Sequence, residues 1–138
     1  MAIKTRLDVV VKLRERAEDE AQRQLAQARA KTSAAEGALA KARERALADG
    51  RGSGDAALWH DADLARQRAL REVEKAKEAL RSCKVAEEAV RKAFEQRHRE
   101  AEAVRRVAEA RREEIRQQQD RAERKVLDEL AAMGHGRR

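Results

Sequence analysis

Apolar side chains recur every three or four residues along most of this chain, the spacing of one face of an α-helix. Between residues 3 and 48 that face runs through Ile3, Leu7, Val10, Ala17, Ala21, Leu25, Ala28, Ala35, Leu39, Ala42 and Ala46. Between about 56 and 132 it runs through Trp59, Ala62, Ala69, Val73, Ala76, Leu80, Cys83, Val90, Phe94, Ala101, Val104, Ala108, Ile115 and Ala122, interrupted by Arg66, Glu87, Arg97, Arg111 and Gln118. A period near 3.5 sustained this long predicts a left-handed supercoil. The segment Asp49-Gly50-Arg51-Gly52-Ser53-Gly54-Asp55 holds three of the six glycines and reads as a turn. Gly50 suits the left-handed helix C-terminus, and Ser53 or Asp55 suits the next N-cap. The expected fold is all-α. It is an elongated antiparallel two-helix coiled-coil hairpin over residues 1–138, with helix 1 about 3–48, turn 49–55, helix 2 about 56–132 and a frayed tail 133–138.

The helices are unequal. If residues 48 and 56 face each other, residue 3 lies opposite roughly residue 101, and about 30 residues of helix 2 extend alone for about 45 Å at about 1.5 Å per residue. That segment carries Val104, Val107, Ile115, Val126, Leu127, Leu130 and Met133. An amphipathic helix with an uncovered apolar face is a surface for a partner.

Composition agrees with a seam and not with a globular core. The chain has no proline, no tyrosine, one tryptophan and one phenylalanine, and 43% of its residues are charged. Proline would break long helices and aromatic side chains supply much of a compact core, so their scarcity favours long helices meeting along a narrow, alanine-rich line. Lysine and arginine number 33 against 26 acids, a net charge of +7 that makes nucleic acid, anionic membrane or an acidic protein surface conceivable partners. The signs, however, are interleaved: 11 basic and 8 acidic residues lie in positions 1–50, with 22 and 18 in positions 51–138. Solvated helix faces held by pairs such as Asp8/Lys12, Glu88/Lys92, Glu95/Arg99 and Asp120/Arg124 are expected. The single Cys83 excludes an internal disulfide and fits a reducing compartment. The opening Met-Ala-Ile-Lys-Thr-Arg-Leu lacks the apolar run of a secretory signal, and no stretch approaches the roughly 20 apolar residues of a membrane span.

Little in the sequence can carry chemistry. His60, Asp61 and Asp63 cluster after the turn, but only His60 and Asp63 share a helix face, and a metal site needs three or four convergent ligands. They are expected to be a solvated first turn whose acids complement the helix dipole. Cys83 sits on the seam with neither His60 nor His98 within a helical turn, and His135 lies in the glycine-flanked tail. No catalytic constellation, metal or cofactor is expected. The arginines at 97, 99, 105, 106, 111 and 112 favour nucleic acid, but Glu100, Glu102 and Glu109 share the stretch and no aromatics interleave for base stacking. A membrane-surface helix would present bulkier side chains than this seam does.

Three segments carry a resemblance. The first is the aliphatic and then acid-rich opening from Arg6-Leu7-Asp8-Val9-Val10-Val11-Lys12-Leu13-Arg14-Glu15 to Leu25-Ala26-Gln27-Ala28. The second is the glycine-bearing turn followed by the lone Trp59. The third is the charged stretch Arg111-Arg112-Glu113-Glu114-Ile115-Arg116-Gln117-Gln118-Gln119-Asp120 leading to Leu127-Asp128-Glu129-Leu130. Together they resemble the small central-stalk proteins of type III export systems, called FliJ in flagella and YscO or SctO in injectisomes. That resemblance implies a non-catalytic, cytoplasmic coiled-coil stalk, similar to the rotor shaft of rotary ATPases, peripherally associated with the inner-membrane export apparatus. It implies insertion into a hexameric export ATPase, promotion of ring assembly or activity, and a link to the membrane export gate; some members also handle export chaperones. Nucleic acid and direct membrane insertion are not implied. The ring contact would fall on Leu7, Val11, Arg14, Ile115, Val126, Leu127 and Leu130, and the gate contact on Trp59, Leu64, Arg66 and Leu70. The residue pattern by itself also accommodates a scaffold or peripheral-stalk adaptor of another machine, or a basic nucleic-acid-binding hairpin.

Overall fold

The computed structural model describes residues 3–48 and 56–136. They form two helices, α1 (Leu7–Leu47) and α2 (Ala56–His135), packed against each other as an all-α helical hairpin. The expected turn, with Gly50, Ser53 and Asp55, lies outside the described residues. Two compact units divide the chain. A central unit spans Glu20–Glu95, and a terminal unit combines Met1–Asp19 with Gln96–Arg138.

In the central unit the buried positions of α1 are Ala21, Leu25, Thr32, Leu39 and Ala42, with Ala28, Ala35 and Ala46 half-buried between them. These eight positions alternate strictly by four and three, the heptad spacing of a coiled-coil seam, and together they face α2. On α2 the matching line is Ala69, Val73, Ala76, Leu80, Cys83, Glu87, Val90 and Phe94. Its best-filled stretch is the cluster of Leu39, Ala42 and Val73 with Ala46, Ala76 and Leu80 packed around it. Alanine on both sides lets the backbones approach, and leucine and valine supply the apolar area.

Thr32 is the one buried polar residue among those described. Its hydroxyl donates to the Ala28 carbonyl in its own helix at 3.1 Å and lies 3.4 Å from the Cys83 carbonyl across the seam. A buried polar position of this kind holds a coiled coil in register. With Thr32 opposite Cys83, the register differs from the one expected for a tight turn, which would set Thr32 opposite residue 72. The difference is about 11 residues, or three turns at about 3.6 residues each. The reason is packing: the tight-turn register would face Leu39 with Ala65, whereas the observed one gathers Leu39, Val73 and Leu80 together. The first turns of α2, residues 56–68, are consequently exposed apart from half-buried Ala62.

In the terminal unit α1 begins with a cap. The Thr5 backbone N–H donates to the Asp8 carboxylate at 2.9 Å, and the Asp8 N–H donates to the Thr5 carbonyl at 3.1 Å. This is the reach-back arm of a capping box, with Asp8 three residues after the Thr5 cap, and the helix runs from Leu7 and not from Ile3. On α2, Ala101 and Ala108 are 0% and 1% exposed, the most enclosed residues described. Leu7, Val11, Val104 and Ile115 are half-buried beside them. From Arg116 to Gly136 every residue is exposed, so the uncovered end of α2 is about one-third shorter than expected. The helix also continues through Met133, Gly134 and His135, where a frayed tail was expected, because Ala131, Ala132 and Met133 are strong helix formers.

Candidate interaction surface

The charged residues of the terminal unit are not a solvated fringe. Arg112 pairs with Asp8, Arg105 reaches Glu15 at 3.1 Å and Glu18 at 3.0 Å, and His98 Nδ1 lies 3.1 Å from Glu18. Arg14 meets Glu100 at 2.8 Å, and the same carboxylate also takes Arg97 at 3.3 Å. Arg14 and Glu18 continue the four-and-three seam of α1 upstream of Ala21, so Glu18 takes the seam position read for Ala17 and Arg14 fills the gap between Val10 and Ala17. Val10 is exposed and Val11 takes its place. The central unit has one such bond across its helices among the described residues, Arg29 to Glu87 at 3.8 Å.

The pairing expected within each helix is also rearranged. Asp8 turns across to Arg112 and not along to Lys12, while Glu88 and Glu95 share Arg91. Most bonds within a helix join residues three apart, among them Glu72–Lys75, Glu78–Arg81 and Glu113–Arg116. Carboxyl titration follows from these contacts. The Thr5 N–H, and after it the Arg112 guanidinium, hold Asp8 below the usual carboxylate range. Burial pushes Glu18 up, but His98 and Arg105 together outweigh it and leave its carboxyl lowered. Glu100 is lowered by the Gln96 amide, against a desolvation cost, with Arg14 and Arg97 adding to the effect. Glu15 and then Glu18 raise the Arg105 guanidinium.

The arginine group that suggested nucleic acid is largely spent on these bonds. Arg97, Arg105, Arg106, Arg111 and Arg112 each pair with an acid, and among the described residues Arg99 is the member of the six without one.

Of the residues assigned to a ring contact, Leu7, Val11, Arg14 and Ile115 are half-buried in the helix seam. Val126, Leu127 and Leu130 are open to solvent at 54%, 64% and 57%, and Met133 joins them at 59%. Val126, Leu130 and Met133 stand four and three residues apart, so they form one apolar stripe with Leu127 on its edge. The stripe continues the line of Ile115 and Ala122 past the start of α1. The gate candidates Trp59, Leu64 and Leu70 are exposed at 50%, 38% and 49% and Arg66 is also exposed, all on the first turns of α2. Leu58, at 60%, is exposed beside them, off the apolar line that runs through Trp59 and Ala62.

His60, Asp61 and Asp63 are exposed, and both acids fall after the first turn of α2, one turn later than the dipole argument required. Among the described residues no group of three or more His, Cys, Asp or Glu side chains is placed to hold a metal ion. Cys83 is a half-buried free thiol in the seam. No described helix is long and apolar enough to cross a membrane.

The chain has no match among curated proteins or among solved structures. A family model described as the flagellar FliJ protein matches residues 3–138, covering both helices and the exposed end of α2. The chain therefore belongs to the flagellar FliJ family and is a component of flagellar type III protein export.

Proposed function

We propose that this chain is the non-catalytic central stalk of the flagellar export ATPase, inserting into the hexameric ring, promoting its assembly or activity, and linking it to the membrane export gate. The observation that carries this reading is the exposed stripe Val126, Leu127, Leu130 and Met133 on a helix that runs on past the start of α1. Four large apolar side chains in sequence, rimmed by Arg124, Lys125, Asp128 and Glu129, suit a narrow protein-lined pore better than open solvent. In this reading Val126, Leu127 and Leu130 touch the ring. Leu7, Val11, Arg14 and Ile115 act one step back by holding the terminal unit together. Trp59, Leu64, Arg66 and Leu70, on the opposite end of α2's sequence, serve the gate. The stalk works on the cytoplasmic side of the membrane, and export chaperones are further partners for its exposed helix faces.

A stalk with no active site changes turnover only by binding some states of the ring better than others. The test is ATP hydrolysis by the cognate export ATPase titrated with the chain and with Leu127→Glu. Stimulation or ring assembly by the wild type, with at least about tenfold weaker apparent affinity for the variant, is expected. Unchanged hydrolysis and assembly at saturating wild-type chain would overturn the reading.

A further inference from the structure

The two units differ in how far charge adds to apolar contact between their helices. In the central unit α1 buries Ala21, Leu25, Thr32, Leu39 and Ala42, and a single ion pair crosses between the helices among the described residues. In the terminal unit no residue of α1 from Leu7 to Asp19 is fully buried, with Leu7, Val11 and Ala17 half-buried; four arginine–carboxylate pairs cross to α2, and His98 Nδ1 adds a contact to Glu18 at 3.1 Å. Their side chains are partly solvated, from 16% exposure at Glu18 to 44% at Glu15 and His98. Apolar contact survives salt, whereas partly solvated ion pairs are screened by it.

We propose that residues Leu7–Asp19 are an ionic strap, a releasable segment that charge holds against α2 over Ala101 and Ala108. Its release uncovers α2 from His98 onward and joins Ala101, Val104, Ala108 and Ile115 to the exposed stripe that ends at Met133. Arg105 is its central rivet, since one guanidinium holds both Glu15 and Glu18. The inference rests on the contacts of this chain alone and stands apart from the identity of any partner.

The test is amide hydrogen exchange of the full-length chain at about 0.1 M and about 1 M NaCl, which shortens the screening length from about 10 to about 3 Å. Amides 9–19 should lose protection by about tenfold in high salt, while amides 21–42 change by less than about threefold. Arg105→Gln should produce the same selective loss at low salt, and Arg81→Gln, which removes only the exposed bond to Glu78 within α2, should not. Equal protection of residues 9–19 at both salt concentrations and in Arg105→Gln would overturn the strap. So would an equal loss in both segments, which would mark general loosening of the helix pair, or a lack of protection at 9–19 under every condition.

Discussion

The hydroxyl of Thr32 lies 3.4 Å from the backbone carbonyl of Cys83 on the facing helix, and this contact marks the register of the central unit. The hydroxyl also has the Ala28 carbonyl at 3.1 Å, so it is satisfied without the cross-seam contact. Thr32→Val keeps the shape and removes the donor, leaving only carbonyls that have helical partners of their own. Thermal unfolding should therefore shift by no more than about 1 kcal/mol in either direction. A loss above about 2 kcal/mol would mean that the polar contact, and not the surrounding alanine and leucine packing, holds the helices together.

Leu39 and Leu127 should part company in a denaturation series. Leu39 is 7% exposed and packs with Ala42 and Val73, so Leu39→Ala removes buried methyl groups and should cost about 2–4 kcal/mol. Leu127 is 64% exposed, and Leu127→Ala should change stability by less than about 0.5 kcal/mol. Urea unfolding followed by helical circular dichroism distinguishes the two; similar losses at both positions would contradict the packing described.

Glu87 occupies a seam position between Cys83 and Val90, with its side chain 28% exposed and Arg29 3.8 Å away. A long ion pair at a site otherwise suited to an apolar residue contributes little. Glu87→Leu is expected to stabilise the chain by about 1 kcal/mol through added apolar burial. Destabilisation of that size would show that the pair is worth more than its distance suggests.

Asp8 has two tasks, accepting from the Thr5 N–H and pairing with Arg112. Asp8→Asn retains an acceptor for the cap and loses the charge, whereas Asp8→Ala loses both. Amide exchange in the first turn of α1 should accelerate in the order wild type, Asn, Ala. If the Asn variant matched the Ala variant, the charge and not the cap would be the larger contribution.

Acid should loosen the terminal unit first. Asp8, Glu18 and Glu100 all titrate below their ordinary range in the folded chain. A carboxyl lowered by folding contributes stability that is complete above the unfolded value near pH ~4 and is lost as pH falls through the folded value. Protection of amides 9–19 should hold from pH ~7 to ~5 and decline below about 4. A decline that began well above pH ~5 would contradict a carboxylate origin of the loosening.

The periodic apolar pattern made much of this fold legible. Ten of the eleven positions read for helix 1 lie buried or half-buried, and Val10, the exception, misses the seam by one residue. On helix 2 the line from Ala69 to Ile115 holds, while Trp59 and Ala122 at its two ends are exposed. The pattern failed where polar side chains enter the seam. Arg14, Glu18 and Thr32 follow the same four-and-three spacing, and the gap between Ala28 and Ala35 was the available signal for Thr32. Apolar spacing passes over such positions because Arg14 and Glu18 are stabilised by partners on the other helix, and Thr32 by the Ala28 carbonyl one turn back in its own.

What the linear sequence determined was local: helix content, the width of the apolar stripe, the absence of aromatic bulk, and a second helix longer than the first. These follow from propensity and periodicity, which depend on residues within a few turns of each other. Tertiary structure alone decided which turn of α1 meets which turn of α2. Many registers place alanine against alanine at similar cost, and the choice among them turns on a few distant meetings: Leu39 with Val73, Thr32 with Cys83, and Arg105 with Glu15 and Glu18. That choice left the stripe from Val126 to Met133 exposed and placed Leu7, Val11 and Ile115 in the seam, because a side chain used between the helices is no longer open to a partner.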